Sequence, residues 1–165
     1  MVTVETISIV FTGLSVSLAA FYYISTLRNA QRTQQLQLET RQAQLFMQIY
    51  NRFSTSDFYS KWQDFRFWEW DNYDEFMEKY GPIANFEKWI QVNSIGAFLE
   101  GIGVLVKRKL IDPALVDDLM FSVVEDFWNR MELTMEEYRD RTGRRSFKWI
   151  ELLYNEIKSI KEESV

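Results

Sequence analysis

The sequence predicts an all-α protein in which a single N-terminal transmembrane helix continues into a cytoplasmic helical bundle of about five to six helices. Three observations predict this class. Only 6 Gly and 2 Pro occur among 165 residues, so few positions interrupt a helix. Apolar side chains recur at spacings of three and four residues through most of the chain. A long stretch near the N-terminus carries no charge.

The N-terminal stretch from Thr6 to Leu27 contains 22 residues without a charge. As a helix it would be about 33 Å long, enough to cross a bilayer core of roughly 30 Å. We therefore interpret residues 1–27 as an N-terminal segment and transmembrane helix. A buried helix of a soluble fold is the alternative, because Ser, Thr and Gly dilute the run. A secretory signal is disfavoured, because only Glu5 carries a side-chain charge before the run.

Basic residues flank this stretch on one side only. Arg28, Arg32 and Arg41 follow it, and no Lys or Arg precedes it. The positive-inside rule then predicts a single-pass protein of the cell membrane with its N-terminus outside and its C-terminal domain in the cytoplasm. Arg28 and Arg32, together with Arg144 and Arg145, are candidate contacts for anionic lipid headgroups.

Small residues occur within the predicted membrane helix. Gly13 and Ser17 are four residues apart, and such a pair lets a second helix approach closely. Residues 28–53 contain no Gly or Pro, so we predict that the helix continues as a juxtamembrane stalk whose second half packs onto the domain. The Gln-rich first half of this segment is either a solvated stalk or a short coiled-coil seam, which would imply a homo-oligomer.

Residues 54–161 are predicted to form the bundle, and residues 162–165 a frayed tail. The second helix is expected at about Asp57–Trp68, and the fourth, which is apolar over more than half its circumference, is expected at the centre. Capping residues mark the predicted helix starts: Ser54 to Ser56, Asn72, Asn85, Asp112 before Pro113, and Ser146.

Ten aromatic residues lie between Phe58 and Tyr80. Some of them share one helical face and are expected in the core. Phe67, Trp68 and Trp70 cannot all lie on that face, so they are candidates for exposed aromatic contacts with a partner protein or the bilayer surface. The alternative is that the whole group is core.

Gly96, Glu100 and Gly103 share one strip of the predicted fourth helix, with a carboxylate between two positions that lack side chains. One interpretation is a groove in which a partner or ligand group reaches Glu100. The other is close packing of a neighbouring helix, with Glu100 paired to an arginine such as Arg130.

Residue types that many active sites need are missing from the chain. It contains no Cys and no His, which excludes thiolate nucleophiles, Ser-His-Asp triads and zinc sites with the usual ligands. No Gly-rich phosphate loop occurs. We therefore predict no catalytic, metal or cofactor site and no enzyme activity. The net charge of −5 disfavours nucleic acid as a partner.

The stretch FLEGIGVLVKRKLIDPALVDDL, followed by Trp128, Arg130 and RRSFKW, resembles a family of uncharacterised bacterial and archaeal proteins known only as a domain of unknown function. The similarity covers about residues 42–153. It implies one N-terminal membrane helix and a small cytoplasmic helical domain, and it carries no established activity. The family tends to have Gly where this chain has Lys109.

The combination of an anchor, surplus aromatic residues and missing catalytic groups predicts a non-catalytic accessory or assembly subunit of a membrane protein complex. Its expected partners are other membrane-protein subunits, a second copy of the chain, and the lipid bilayer. The alternative is a membrane-anchored sensor or signalling effector, of the stress or phage-defence type, that binds a small ligand in the helical domain.

Overall fold

The computed structural model describes residues 3–163, which contain six helices and no strand, so the all-α prediction is confirmed. The helices are α1 Val4–Phe53, α2 Ser56–Phe65, α3 Tyr73–Tyr80, α4 Phe86–Lys107, α5 Pro113–Thr142 and α6 Lys148–Glu163. Residues 1–2 of the predicted N-terminal segment and 164–165 of the predicted tail lie outside the described residues, as do the side chains of residues 6, 7, 10 and 163.

Contacts divide the chain after Arg41 into two compact units. The first unit contains α1 up to that residue. The second unit begins at Gln42, so the last turns of α1 belong to it, and Phe46 and Phe53 are buried there. Helix α1 has no break between the predicted membrane and juxtamembrane segments, as the lack of Gly and Pro predicted.

Side chains at the predicted caps start four of the helices. Thr55 Oγ1 accepts a hydrogen bond from the Phe58 amide (3.4 Å) before α2. Asn72 accepts a hydrogen bond from the Glu75 amide (3.0 Å) before α3, and Asn85 accepts one from the Lys88 amide (3.1 Å) before α4. Asp112 accepts from the Ala114 amide (3.0 Å) before α5. These caps are confirmed, because each depends only on residues within one turn of the helix start.

Helix α2 ends earlier than predicted, at Phe65 rather than at Trp68. The amide of Phe67 bonds to the Asp64 carbonyl (3.1 Å), and the amide of Trp68 to the Phe65 carbonyl (3.1 Å). These three-residue spacings tighten the chain into turns and end the α-helix. The residues after α2 therefore form a loop that returns towards α3.

Helix α4 is the centre of the second unit. Seven of its residues are buried, and α2, α3 and α6 all pack against it, while α6 and α3 also pack against α5. Among the described residues, α4 is the helix long and apolar enough to cross a membrane by length and composition. Its buried residues place it in the core of the bundle, as expected for a central helix.

The turn between α4 and α5 holds Lys109 in the left-handed conformation, with φ = 57°. The amide of Leu110 bonds to the Leu105 carbonyl (2.9 Å) and the amide of Lys109 to the Val106 carbonyl (2.8 Å), which is the Schellman pattern. Glycine adopts this conformation without steric cost, whereas a side chain costs about 1 kcal/mol. The α4–α5 turn therefore has the backbone conformation that is typical of glycine, although the residue at this position is Lys109.

Candidate partner-binding surface

The strip formed by Gly96, Glu100 and Gly103 is occupied by the chain itself. A Cβ at Gly96 would lie 2.5 Å from Cε1 of Phe147, and one at Gly103 would lie 2.6 Å from the carbonyl carbon of Trp149. The expectation of an open partner or ligand groove here is therefore wrong. The two glycines instead let the start of α6 pack directly against α4, which was the alternative interpretation.

Glu100 caps the start of α6 from the neighbouring helix. Its Oε2 accepts hydrogen bonds from the backbone amides of Trp149 and Ile150, both at 2.9 Å. Ser146 is the predicted cap, but these first-turn amides donate to Glu100 instead. The expected pairing with Arg130 is wrong as well, because Arg130 Nη1 donates to the carbonyl oxygen of Trp68 (3.0 Å).

The surroundings of Glu100 shift its pKa in opposite directions. Burial raises the pKa of Glu100 above its ordinary value, although the two α6 amides and the positive charge of Arg139 lower it. Arg139 also donates to Glu151 Oε2 (2.7 Å) and to the Ser146 carbonyl (2.9 Å). Glu100 and Arg139 thus join α4, α5 and α6 at one end of α6.

The three aromatic residues expected on the surface have three different surroundings. Phe67 is 81% exposed. Trp68 is only 5% exposed, and its ring stacks on Tyr80 with the centroids 4.4 Å apart, so its predicted exposure is wrong. Trp70 is half-buried, and its Nε1 donates to Thr134 Oγ1 (2.9 Å). Of the three, Phe67 remains available for an aromatic surface contact.

The other predicted contact residues belong to the two units separately. Arg28, Arg32, Gly13 and Ser17 are exposed in the first unit, and Arg144 and Arg145 are exposed in the second. A Cβ added to Gly13 would meet no atom within 4 Å, and Ser17 Oγ donates to the Gly13 carbonyl (2.8 Å).

The sequence did not single out the exposed side of α4 as a site. At about 100° per residue, Phe86, Ile90, Ala97 and Gly101 lie on one side of the helix, opposite its buried side. All four are exposed. We call these four residues the α4 outer face. The signal was present in the sequence, because apolar residues surround more of α4 than a single packed side requires.

A groove begins at Ala97 and Gly101 of the α4 outer face and lies between α4 and the last turns of α1. Its volume is about 570 Å³. The lining residues all belong to the second unit: Leu45, Gln48, Ile49, Arg52, Ala97, Phe98, Gly101, Ile102, Val104 and Leu105. Eight of the ten lining residues are apolar and the other two are Gln48 and Arg52, so the α1–α4 groove can hold apolar side chains of a partner.

Taken together, the described residues define an all-α domain with a long N-terminal helix and an uncovered apolar helical face. Within residues 3–163, no group of three acidic side chains is arranged to hold a metal ion. The family described as a domain of unknown function, DUF4760, matches residues 7–157, and the chain belongs to this family. The resemblance to an uncharacterised domain family is thereby confirmed. No curated protein and no solved structure matches the chain.

Proposed function

We propose that the protein is a non-catalytic, single-pass membrane protein that acts as an accessory or assembly subunit, binding a helix of a partner subunit on the α4 outer face. One observation carries the proposal: α4 is apolar on both sides, but the bundle covers only one of them. A helix that is apolar all round is normally buried all round. The exposed side therefore has the composition of an interface.

The shape of this surface favours a helix as the occupant. Ala97 and Gly101 are four residues apart, and nothing lies within 4 Å of a Cβ placed on Gly101. Small residues at this spacing let a second helix backbone approach closely, as in small-xxx-small contacts. Phe98 and Leu105 at the sides of the groove would then contact the side chains of the incoming helix.

The first unit supports a membrane location. Its described apolar side chains, placed all round the helix, are between 45% exposed at Leu27 and 83% exposed at Val4. Four of the hydroxyls that dilute the run donate to carbonyls four residues earlier: Thr12 to Ser8, Ser15 to Phe11, Ser17 to Gly13 and Thr26 to Tyr22, at 2.8–2.9 Å. Hydroxyls satisfied within their own helix cost less in hydrocarbon, so their presence is compatible with a span.

The competing function, a ligand-binding sensor, was expected to use Glu100. Its carboxylate is engaged with the start of α6, and the adjacent glycines are covered by Phe147 and Trp149. This arrangement leaves no space for a ligand at that position, which favours the subunit over a sensor of that design.

Carbonate extraction tests the anchor. The full-length protein is expected to stay with the membrane pellet at high pH, because hydrocarbon would surround the helix at Phe11 to Ile24. A Leu14→Arg/Leu18→Arg variant is expected to move largely into the supernatant, since each arginine costs about 2.5–3.5 kcal/mol at the centre of a span. Release of the uncleaved wild-type protein would contradict the anchor.

Blocking the α1–α4 groove tests the subunit proposal. A Gly101→Trp variant is expected to lose a stoichiometric partner that the wild type retains after mild detergent extraction, as measured by native mass spectrometry. The new side chain points into open space, so the melting temperature should change little. Ser122→Trp, at an exposed position on α5, is the matched control and should keep the partner.

The same measurement separates the alternative occupants. A wild-type homodimer that dissociates in Gly101→Trp would identify a second copy of the chain as the occupant. A wild-type complex with a different subunit that persists in Gly101→Trp would place the interface elsewhere. A wild type that is monomeric in native-like lipid would contradict the subunit proposal.

A further inference from the structure

A second cleft lies between the loop after α2 and helix α5, and it is separate from the α4 outer face. Its volume is about 520 Å³, within the range of small-ligand sites. Its lining includes Phe67, Glu69, Trp70, Asp71, Arg130 and Leu133. We call it the Arg130 cleft.

Arg130 is the group in this cleft that is best placed to bind an anion. Its Nη1 donates to the carbonyl oxygen of Trp68 (3.0 Å), which holds the guanidinium in place, and a guanidinium has four further N–H donors. Among residues 3–163, no carboxylate forms an ion pair with Arg130, whereas Arg66 at the same cleft pairs with Asp126 (3.2 Å). Arg130 is exposed, so a ligand can reach it.

The loop wall of the cleft is held in place before any ligand arrives. Trp70 Nε1 donates to Thr134 Oγ1 (2.9 Å), which joins the loop to α5. Trp68 stacks on Tyr80, and the Tyr80 hydroxyl accepts from the Glu69 amide (3.2 Å). A wall fixed by these contacts loses little conformational entropy on binding.

The remaining lining residues narrow the class of ligand. Phe67 is 81% exposed and Leu133 is 72% exposed, so apolar surface lies beside the guanidinium. Glu69 and Asp71 also line the cleft and would repel a group with two negative charges, such as a phosphate monoester, more strongly than a group with one. The surroundings therefore suit one carboxylate attached to an apolar body.

We propose that the Arg130 cleft binds a carboxylate carried by an apolar group, with Arg130 contacting the carboxylate and Phe67 and Leu133 contacting the apolar part. Arginine suits this role, because its planar fork matches a carboxylate. The carboxylate can come from a free carboxylic acid or from the C-terminus of a peptide. The site was missed in the sequence because Phe67 and Arg130 lie 63 positions apart.

Calorimetric titration of the full-length protein in lipid nanodiscs tests this proposal. The probes are 3-phenylpropionate, N-acetyl-Leu-Phe as the free acid, and the amide of each. At least one acid is expected to bind saturably, and its amide about tenfold more weakly, since hydrogen bonds to a charged group are lost. The Arg130→Gln variant should bind the acid about tenfold more weakly and should no longer prefer the acid over its amide.

Two further variants complete the test. Leu133→Asn, at an exposed position, should weaken the binding of acid and amide alike. This variant keeps the proposal testable if Arg130→Gln lowers the melting temperature. Arg108→Gln, outside the cleft, should leave binding unchanged. If 3-phenylpropionate binds more strongly than N-acetyl-Leu-Phe, the ligand is a small carboxylic acid. If N-acetyl-Leu-Phe binds more strongly, the ligand is a peptide C-terminus. Absence of saturable binding, equal affinity for acid and amide, or unchanged affinity in Arg130→Gln would overturn it.

Discussion

Replacing Gly103 with Ala is expected to destabilise the second unit by about 1–3 kcal/mol, the usual cost of overpacking a core. A Cβ at this position would overlap the carbonyl oxygen of Trp149 and lie 2.6 Å from its carbonyl carbon. These are backbone atoms at the start of α6, so the clash cannot be relieved by rotating a side chain. Either α6 must move away from α4 or its first turn must distort.

Gly101→Ala is the matched control for this prediction. Gly101 lies two residues earlier, on the opposite side of α4, where an added Cβ meets nothing within 4 Å. Ala is a better helix former than Gly, so this variant is expected to gain about 0.5–1 kcal/mol. Urea unfolding of both variants in one detergent, followed by Trp fluorescence, gives the comparison. Equal stabilities would contradict the close α4–α6 contact.

Local features of this fold were predictable from the sequence. The caps at Asn72, Asn85 and Asp112 depend on side chains that bond to amides two or three residues away, so the sequence contains all the information they need. The end of α2 is different. It is coupled to the stacking of Trp68 on Tyr80, a contact between separate elements that helical periodicity cannot reveal.

The contacts of the candidate sites could not be predicted from the sequence, because they depend on how separate helices and loops are placed in space. The spacing of Gly96 and Gly103 predicted a close approach to α4, but the approaching group could be identified as α6 only from the structure. The apolar circumference of α4 likewise predicted a central helix without indicating which part of it the bundle covers. The Arg130 cleft depends on a loop and a helix far apart in sequence, and no local pattern connects them.

Replacing Glu100 with Ala is expected to destabilise the protein by about 1–3 kcal/mol, because the amides of Trp149 and Ile150 would lose their shared acceptor. Glu100→Gln keeps an acceptor oxygen and removes the charge, so it should retain much of this stability. Urea unfolding of the wild type and both variants at one pH measures the contribution of the cap. Equal stability of Glu100→Ala and the wild type would contradict this prediction, because it would mean that water satisfies the two amides as well as Glu100 does.

The pH dependence of the same variants reports how burial acts on Glu100. Because burial raises the pKa of Glu100 in the folded protein, the folded state holds this proton more tightly than the unfolded state. The contribution of Glu100 to stability is therefore fully present below its ordinary value of 4.5 and declines as pH rises through the folded pKa. Glu100→Gln lacks this titration, so its stability relative to the wild type should increase between about pH 4.5 and neutrality. A relative stability that instead decreases as the pH rises towards 4.5, and is constant from there to neutrality, would mean that the α6 amides and Arg139 favour the carboxylate more than burial disfavours it.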